Sequence, residues 1–217
     1  MRTFGWPDFF FILQAAQWTL ALSLIAFVGG AVLGLGVALS RTGGIRWQER
    51  VATVFTQIFQ GTPLLLQLFL IFFGAPVIGL DINPWIAATI ALVLNSGAFL
   101  GEIWRGCIQA IPRGQWEAAE ALSLSYTSRM RDVVLPQALK IAVAPTVGYL
   151  VQIIKGTSLA AIIGFTEITR AGQIINNATF QPMLVFAVVA ALYFVICWPL
   201  SLLASRIERR QARALAR

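Results

Sequence analysis

The sequence predicts an all-α membrane protein with about five transmembrane helices, and three observations predict it. Of its 217 residues 58% are hydrophobic and 12% charged, where an average soluble domain is about a quarter charged. Five apolar runs approach the roughly 20 residues that a helix needs to cross a hydrocarbon core. The lysines and arginines collect between alternate runs, which gives the chain a sidedness. No internal repeat, linker or low-complexity stretch divides it, so residues 1–217 read as one transmembrane domain.

The first span, about 18–40, carries Gly29, Gly30, Gly34 and Gly36. Gly30 and Gly34 have the small-xxx-small spacing that lets helices approach closely, within the subunit or against another. The second, about 51–74, is interrupted by Gln60-Gly61-Thr62-Pro63, because proline removes a backbone donor and crowds the preceding turn. Non-helical backbone at membrane depth is tolerated where protein packs it or a wet cavity meets it, which makes Thr62 a candidate for lining a translocation path. The third, about 84–104, carries Asn95 and Ser96, polar groups able to serve a substrate or bond across helices. Near its end stand Glu102 and, at i+3, Arg105, a spacing that favours an ion pair. The alternative role of Glu102 is a gate at the mouth of the path.

A polar stretch, 105–140, precedes the fourth span at about 141–165. Lys155 lies fourteen residues beyond Ile141, roughly 21 Å along a helix. An ionisable group at such depth costs at least about 2.5–3.5 kcal/mol and so tends to face a cavity or a partner. Gly156, Thr157 and Ser158 follow it, and an ammonium beside two hydroxyls suits a carboxylate. Snorkelling to the far interface is the competing reading. Glu167 and Arg170 fall in the next loop and are expected to form a solvated pair, with contact to an external partner as the alternative. The fifth span, about 183–205, ends in a basic tail, 206–217, and Pro145 and Pro199 are expected to interrupt the last two spans.

Arg41, Arg46 and Arg50, then Arg105, Arg113, Arg129, Arg131 and Lys140, then Arg206, Arg209, Arg210, Arg213 and Arg217 all fall on one face, against Arg2 and Arg170 on the other. The positive-inside rule puts the N-terminus outside and the C-terminus in the cytoplasm. The net charge of +7 thus marks span boundaries and meets anionic lipid headgroups; it forms no basic stripe with aromatics for nucleic acid. The first apolar run is too long for the core of a removable signal peptide.

The chemistry is narrow. There is no histidine, and Cys107 and Cys197 form no CxxC, so no Cys/His metal site or histidine acid–base mechanism is available. Glu102 is the single carboxylate expected inside a span, too few stations for a proton relay. No Walker-type GxxxxGK[ST] occurs, so the chain itself binds no ATP through a P-loop. A membrane-embedded enzyme using Lys155 and Ser158, which at i, i+3 share a helix face, is one alternative to a transport subunit, and a passive channel is another. Neither gives a purpose to Gly114–Pro136, a charged helix-turn-helix set among apolar spans.

That segment, GQWEAAEALSLSYTSRMRDVVLP, resembles the EAA loop of bacterial ABC importer permeases. Glu117, Ala118 and Ala119 open it, a turn follows near Ser123–Ser125, and a second short helix leads to Leu135-Pro136. Gln60-Gly61-Thr62-Pro63-Leu64-Leu65, Gly101-Glu102-Ile103-Trp104-Arg105-Gly106, Ile108-Gln109-Ala110-Ile111-Pro112-Arg113-Gly114-Gln115, Leu135-Pro136-Gln137-Ala138 and Lys155-Gly156-Thr157-Ser158-Leu159 resemble the polar amino-acid subfamily. The resemblance implies a type I importer permease of the bacterial inner membrane that pairs with itself or a sister permease. Two copies of a cytoplasmic ATPase, which carry the ATP and magnesium, and an external solute-binding protein complete such transporters; the permease holds no cofactor. It also implies that Glu117, Ala118, Ala119, Leu122, Ser123, Leu135 and Pro136 couple to the ATPase, with Ala118, Ala119 and Leu122 as the seating face. The cargo it implies is a polar amino acid or an amino-acid-like compound such as an opine. Three positions depart from the pattern. Ser123 replaces a glycine, Gln60 stands where arginine is frequent, and Gly148-Tyr149 stand where an asparagine and an acidic residue are usual; loss of that acid argues against a cationic substrate.

Overall fold

The computed structural model describes residues 2–215, helical almost throughout. Helix α1 (Trp6–Thr42) begins twelve residues before the expected span. Asp8, Gln14 and Gln17 break the apolar run in sequence, but Asp8 serves the helix start: its carboxylate accepts the Gly5 N–H at 2.9 Å and pairs with Arg2. In addition to Glu102, a second carboxylate therefore lies at the edge of a span, at the opposite end of α1. Helices α2 (Arg46–Gly61) and α3 (Leu64–Val77) replace the expected second span. They meet at 101°, so the Thr62-Pro63 interruption is a sharp corner rather than a kink.

Helix α4 (Pro84–Gln109) starts on Asn83, whose side chain accepts the Ile86 N–H at 2.9 Å, and runs past Arg105 without a break. α1 packs along it through glycines. A Cβ on Gly30 would stand 2.4 Å from Ser96 Cβ, and one on Gly34 would stand 2.9 Å from the Gly101 nitrogen. The small-residue pair is thus used inside the subunit, for dispersion contact that a lipid-facing helix can gain only by close approach.

Helix α5 (Arg113–Ala121) follows. α6 (Tyr126–Ser128), a π-helical turn (Arg129–Val134) and α7 (Leu135–Gly156) then run on without interruption. The expected second short helix is the base of the fourth span: Tyr126–Ile163 is one rod of 38 residues. Leu135-Pro136 starts α7 instead of ending a helix, because proline in a first turn forfeits no helical bond and the π turn before it absorbs the change of register. α7 passes into a 3₁₀ turn (Thr157–Ile163). Helix α8 (Ile168–Thr179), an amphipathic segment that no apolar run announced, precedes α9 (Pro182–Leu215). Neither Pro145 nor Pro199 interrupts its helix. Both rings lie on exposed faces, where one lost bond in a long ladder is tolerated. Of the basic tail, Arg217 lies outside the described residues.

Four stretches, in α1, in α4, from α6 through the 3₁₀ turn and in α9, are long and apolar enough to cross a membrane, and the bent pair α2 and α3 brings the number to five where it is counted as one broken span rather than a re-entrant loop. α4 is the central post. Its Ala87, Ala88, Ala91 and Leu92 pack with Leu22, Leu68 and Ile153. A second cluster, Cys107, Ile108, Met130, Val134 and Ala138, seats the base of α7. A third, at the opposite end, joins Ile12 and Ala15 of α1 to Ile168 and Ala171 of α8 and to Val185 and Val189 of α9.

Candidate functional site

Two groups of residues stand out, one at the α5 end and one at mid-depth. α5 ends in a Schellman turn. Ser123 N–H donates to Glu120 O at 2.8 Å and Leu124 N–H to Ala119 O at 3.2 Å, which requires Ser123 to take φ = 56°. Serine therefore occupies the left-handed position where the resemblance expects glycine. The α5 face left open consists of Glu117, Ala118 and Leu122, the last 75% exposed. Ala119 departs from the expected seating face: it is 3% exposed and turned into the chain. Below α5, Glu120 pairs with Arg129 at 3.2 Å, the first residue of the π turn. Leu135 is half-buried and Pro136 exposed.

Glu102 makes the expected pair with Arg105, whose Nε lies 3.0 and 3.1 Å from its two oxygens. Arg41 of α1 pairs with it as well. Two guanidiniums on one carboxylate tie the end of α1 to the last turns of α4.

At mid-depth the α2–α3 corner is held by Gln67. Its amide nitrogen lies 2.9 Å from Phe59 O, 3.0 Å from Thr62 O and 2.9 Å from Thr62 Oγ1, three acceptors sharing two N–H groups, so the carbonyls freed at the end of α2 have partners inside the protein. Asn95 donates to the Gln67 side-chain oxygen at 3.2 Å and to Phe59 O at 3.3 Å, and accepts from the Tyr149 hydroxyl at 3.3 Å. Gln60 donates to Ala98 O at 3.2 Å. The corner meets the end of α7: a Cβ on Gly156 would stand 3.3 Å from Leu64 Cδ2. Two departures from α-helix thus share one level of the bundle.

Below that level α7 leaves a face open. Pro145, Gln152 and Lys155 are exposed, and Gly148 between them has space where a Cβ would stand. Lys155 and Ser158 line a cavity of 280 Å³ with Thr169, Val189 and Tyr193. Thr157 is not part of it: buried, it donates to Ile154 O at 2.7 Å. Ser158 Oγ donates to the Lys155 carbonyl at 2.6 Å rather than meeting its ammonium, an arrangement that makes no nucleophilic dyad. Glu167 is fully buried rather than solvated. It caps α8 by accepting the Arg170 N–H at 2.9 Å and takes the Tyr193 hydroxyl at 2.5 Å, while the Arg170 guanidinium turns to Gln173. Burial pushes its carboxyl above the usual range, against the opposing pull of these donors.

The sequence reading brought forward Thr62, Asn95, Glu102, Lys155 and Ser158 but passed over Gln67, Tyr149, Thr169 and Tyr193 as parts of a site. A lone glutamine within LLLQLFL, five residues past the break, was the signal available for Gln67.

Residues 30–213 match the family described as binding-protein-dependent transport system inner membrane component. The glutamine transport system permease protein of Escherichia coli K12 is 37% identical over 94% of this chain and 94% of its own. The L-cystine transport system permease protein of Bacillus subtilis is 37% identical over 92% of this chain and 86% of its own. A crystal structure of an amino acid ABC transporter with histidines superposes with a TM-score of 0.87 at 34% identity, covering 92% and 94% of the two chains. An inward-facing methionine ABC transporter, at 22% identity and a TM-score of 0.80, shares the fold. Because the family match runs from the glycine seam of α1 to the tail of α9, the chain belongs to the binding-protein-dependent transport system inner membrane components, the permease subunits of ABC importers.

Proposed function

We propose that this permease imports an amino acid with a neutral or anionic side chain, received outside from a solute-binding protein and moved at the expense of ATP hydrolysed on a separate subunit. That ATPase, two copies per complex, docks on the open face of α5 in the cytoplasm. The chain starts outside and ends inside, and a second permease, identical or sister, covers the polar face of α7. The observation that carries this is the meeting of the α2–α3 corner with the end of α7, beside the open face bearing Gln152 and Lys155. Irregular backbone and an exposed ammonium at that depth suit a wet path and not lipid. The Lys155 ammonium offers donors to a carboxylate, while the O–H groups of Ser158, Thr169 and Tyr193 are given to the Lys155 carbonyl, to Tyr193 and to Glu167. The acids near the path are committed elsewhere: Glu102 to two arginines, Glu167 to neutral donors. A cationic side chain finds no free counter-charge among them. The glutamine and cystine systems of the relatives fit that class.

The test is the complex purified with its own partners, reconstituted in liposomes, with ATP hydrolysis measured against binding protein loaded with glutamine, cystine, aspartate, an opine or arginine. Stimulation by a neutral or anionic ligand is expected. Stimulation by arginine alone would sink the charge argument, and hydrolysis indifferent to every ligand would sink the importer reading itself.

A further inference from the structure

On the side of α4 away from the α2–α3 corner lies a cavity of 310 Å³ between α1, α4 and the first turns of α7. Asn95, which meets the corner, and Trp104, which lines the cavity, are nine residues or about two and a half turns apart, hence on opposite faces. Val32, Leu35, Trp104, Cys107, Ala138 and Leu139 form its walls. They offer an occupant nothing to bond: the Trp104 Nε1–H donates to Thr146 Oγ1 at 2.9 Å, and the Cys107 side chain is buried. The lips are open, Val32 73% and Leu139 64% exposed. Leu35 lies seven residues, about 10 Å, above the end of α1, and Leu139 one turn above the start of α7. The cavity therefore belongs to the leaflet next to the coupling segment, the inner one on the orientation proposed above. A second permease is wanted on the polar face of α7 and α3, where lipid would strand Lys155 and Gln152, which leaves this opposite face to the bilayer.

Arg131 precedes the lining residue Leu135 by one turn. Arg131, Leu135 and Leu139 follow at four-residue spacing up the rod, and Arg131, its side chain 85% exposed, has only a loose contact with Asp132 at 3.7 Å. We propose that the cavity takes an acyl chain of one anionic inner-leaflet phospholipid, with Arg131 on its phosphate. Leu135 and Ala138 are the first turns above the π-helical segment that α5 rests on, so the lipid braces the coupling segment against α1. The Tyr126 hydroxyl, donating to Thr42 O at 2.8 Å, closes the same gap from below.

Native mass spectrometry of the intact complex tests this with phosphatidylglycerol and phosphatidylcholine as the added lipids. We expect one tightly retained phosphatidylglycerol per permease copy. Arg131→Gln, on an exposed side chain, should weaken phosphatidylglycerol retention about fivefold, the worth of one basic residue at an anionic surface, and leave phosphatidylcholine unchanged. Ala138→Phe, which fills the cavity, should abolish retention of both in complexes that remain assembled in the same spectrum. Equal retention in wild type and Arg131→Gln overturns the headgroup assignment. Retention undiminished in both variants overturns the site, as does a disulfide between permease copies formed by Leu139→Cys, which would give this face to a second copy.

Discussion

The two ends of this molecule handle charge in opposite ways. At the α5 end carboxylates are shared with guanidiniums and stay partly open: Glu102 with Arg41 and Arg105, Glu120, its side chain 71% exposed, with Arg129. At the α8 end Asp8 keeps a guanidinium partner in Arg2, but the α8 cap Glu167 is wholly buried and meets only neutral donors, the Tyr193 hydroxyl and the backbone of Arg170. Partly exposed ion pairs are worth about 0–1 kcal/mol each, so they can part and re-form as a docked partner moves. A buried carboxylate in a neutral network is different, since every lost donor leaves a desolvated polar group behind. The contrast suits an end that transmits motion and an end that holds the bundle together.

The largest effect that would sharpen this contrast belongs to Glu117→Lys. Glu117 is exposed on the open α5 face and enters no ion pair among the described residues. Reversing its charge should nearly abolish ligand-stimulated ATP hydrolysis and uptake, while the melting temperature of the permease stays within a degree or two of wild type. A permease that unfolds instead would mean that the α5 end is structural like the α8 end, and normal uptake would remove α5 from the coupling path.

Next in size is the α8 end. Glu167→Ala deletes the α8 cap, about 1 kcal/mol, and leaves the Tyr193 hydroxyl without its acceptor, about 1–3 kcal/mol. A loss of about 2–4 kcal/mol is expected in thermal unfolding, whereas Glu167→Gln, which keeps an acceptor, should lose much less. Burial raises the Glu167 carboxyl in the folded state. Over the window from the ordinary carboxylate range up to that raised value, the folded chain holds a proton that the unfolded chain has released. Its contribution is therefore greatest below the window and is lost as pH rises through the folded value. Relative to Glu167→Gln, wild type should lose stability across that window. A relative gain there would mean that the donors outweigh burial and the carboxylate sits ionised.

How legible each end was follows from the same physics. Four of the apolar spans, the i, i+3 pair of Glu102 and Arg105, the break at Thr62-Pro63 and the exposed charged segment were readable because each is local: run length, helical spacing, a missing donor, charge among apolar spans. The second partner of Glu102 comes from α1, 61 residues away. The network of Gln67, Asn95 and Tyr149 joins three helices, and the Glu167–Tyr193 contact joins α8 to α9. Such contacts leave no periodic trace. Helix α8 was missed because its twelve residues are half polar and fall below any span length. The expected interruptions at Pro145 and Pro199 failed for the converse reason: proline is a local signal, but a long helix with the ring on its open side absorbs it.

The smallest effect is expected at Ser123, and it probes whether the α5 end, mobile in its ion pairs, is also strained in its backbone. A residue with a Cβ at left-handed φ costs roughly 1–2 kcal/mol, and Ser123 holds φ = 56° with both Schellman bonds formed. Ser123→Gly removes that strain but adds freedom to the unfolded chain, about 0.4–1 kcal/mol, so the net gain should be about 0–1.6 kcal/mol. Ser123→Val, branched at Cβ, should lose at least as much, because its rotamers crowd the turn. The informative measurement is coupling rather than stability. If Ser123→Gly hydrolyses ATP with unchanged ligand stimulation, the turn merely connects α5 to the π-helical base of α7. If stimulation falls while the melting temperature rises, the strained serine turn helps carry force from α5 to that base, and the glycine expected at this position would be a different mechanical part.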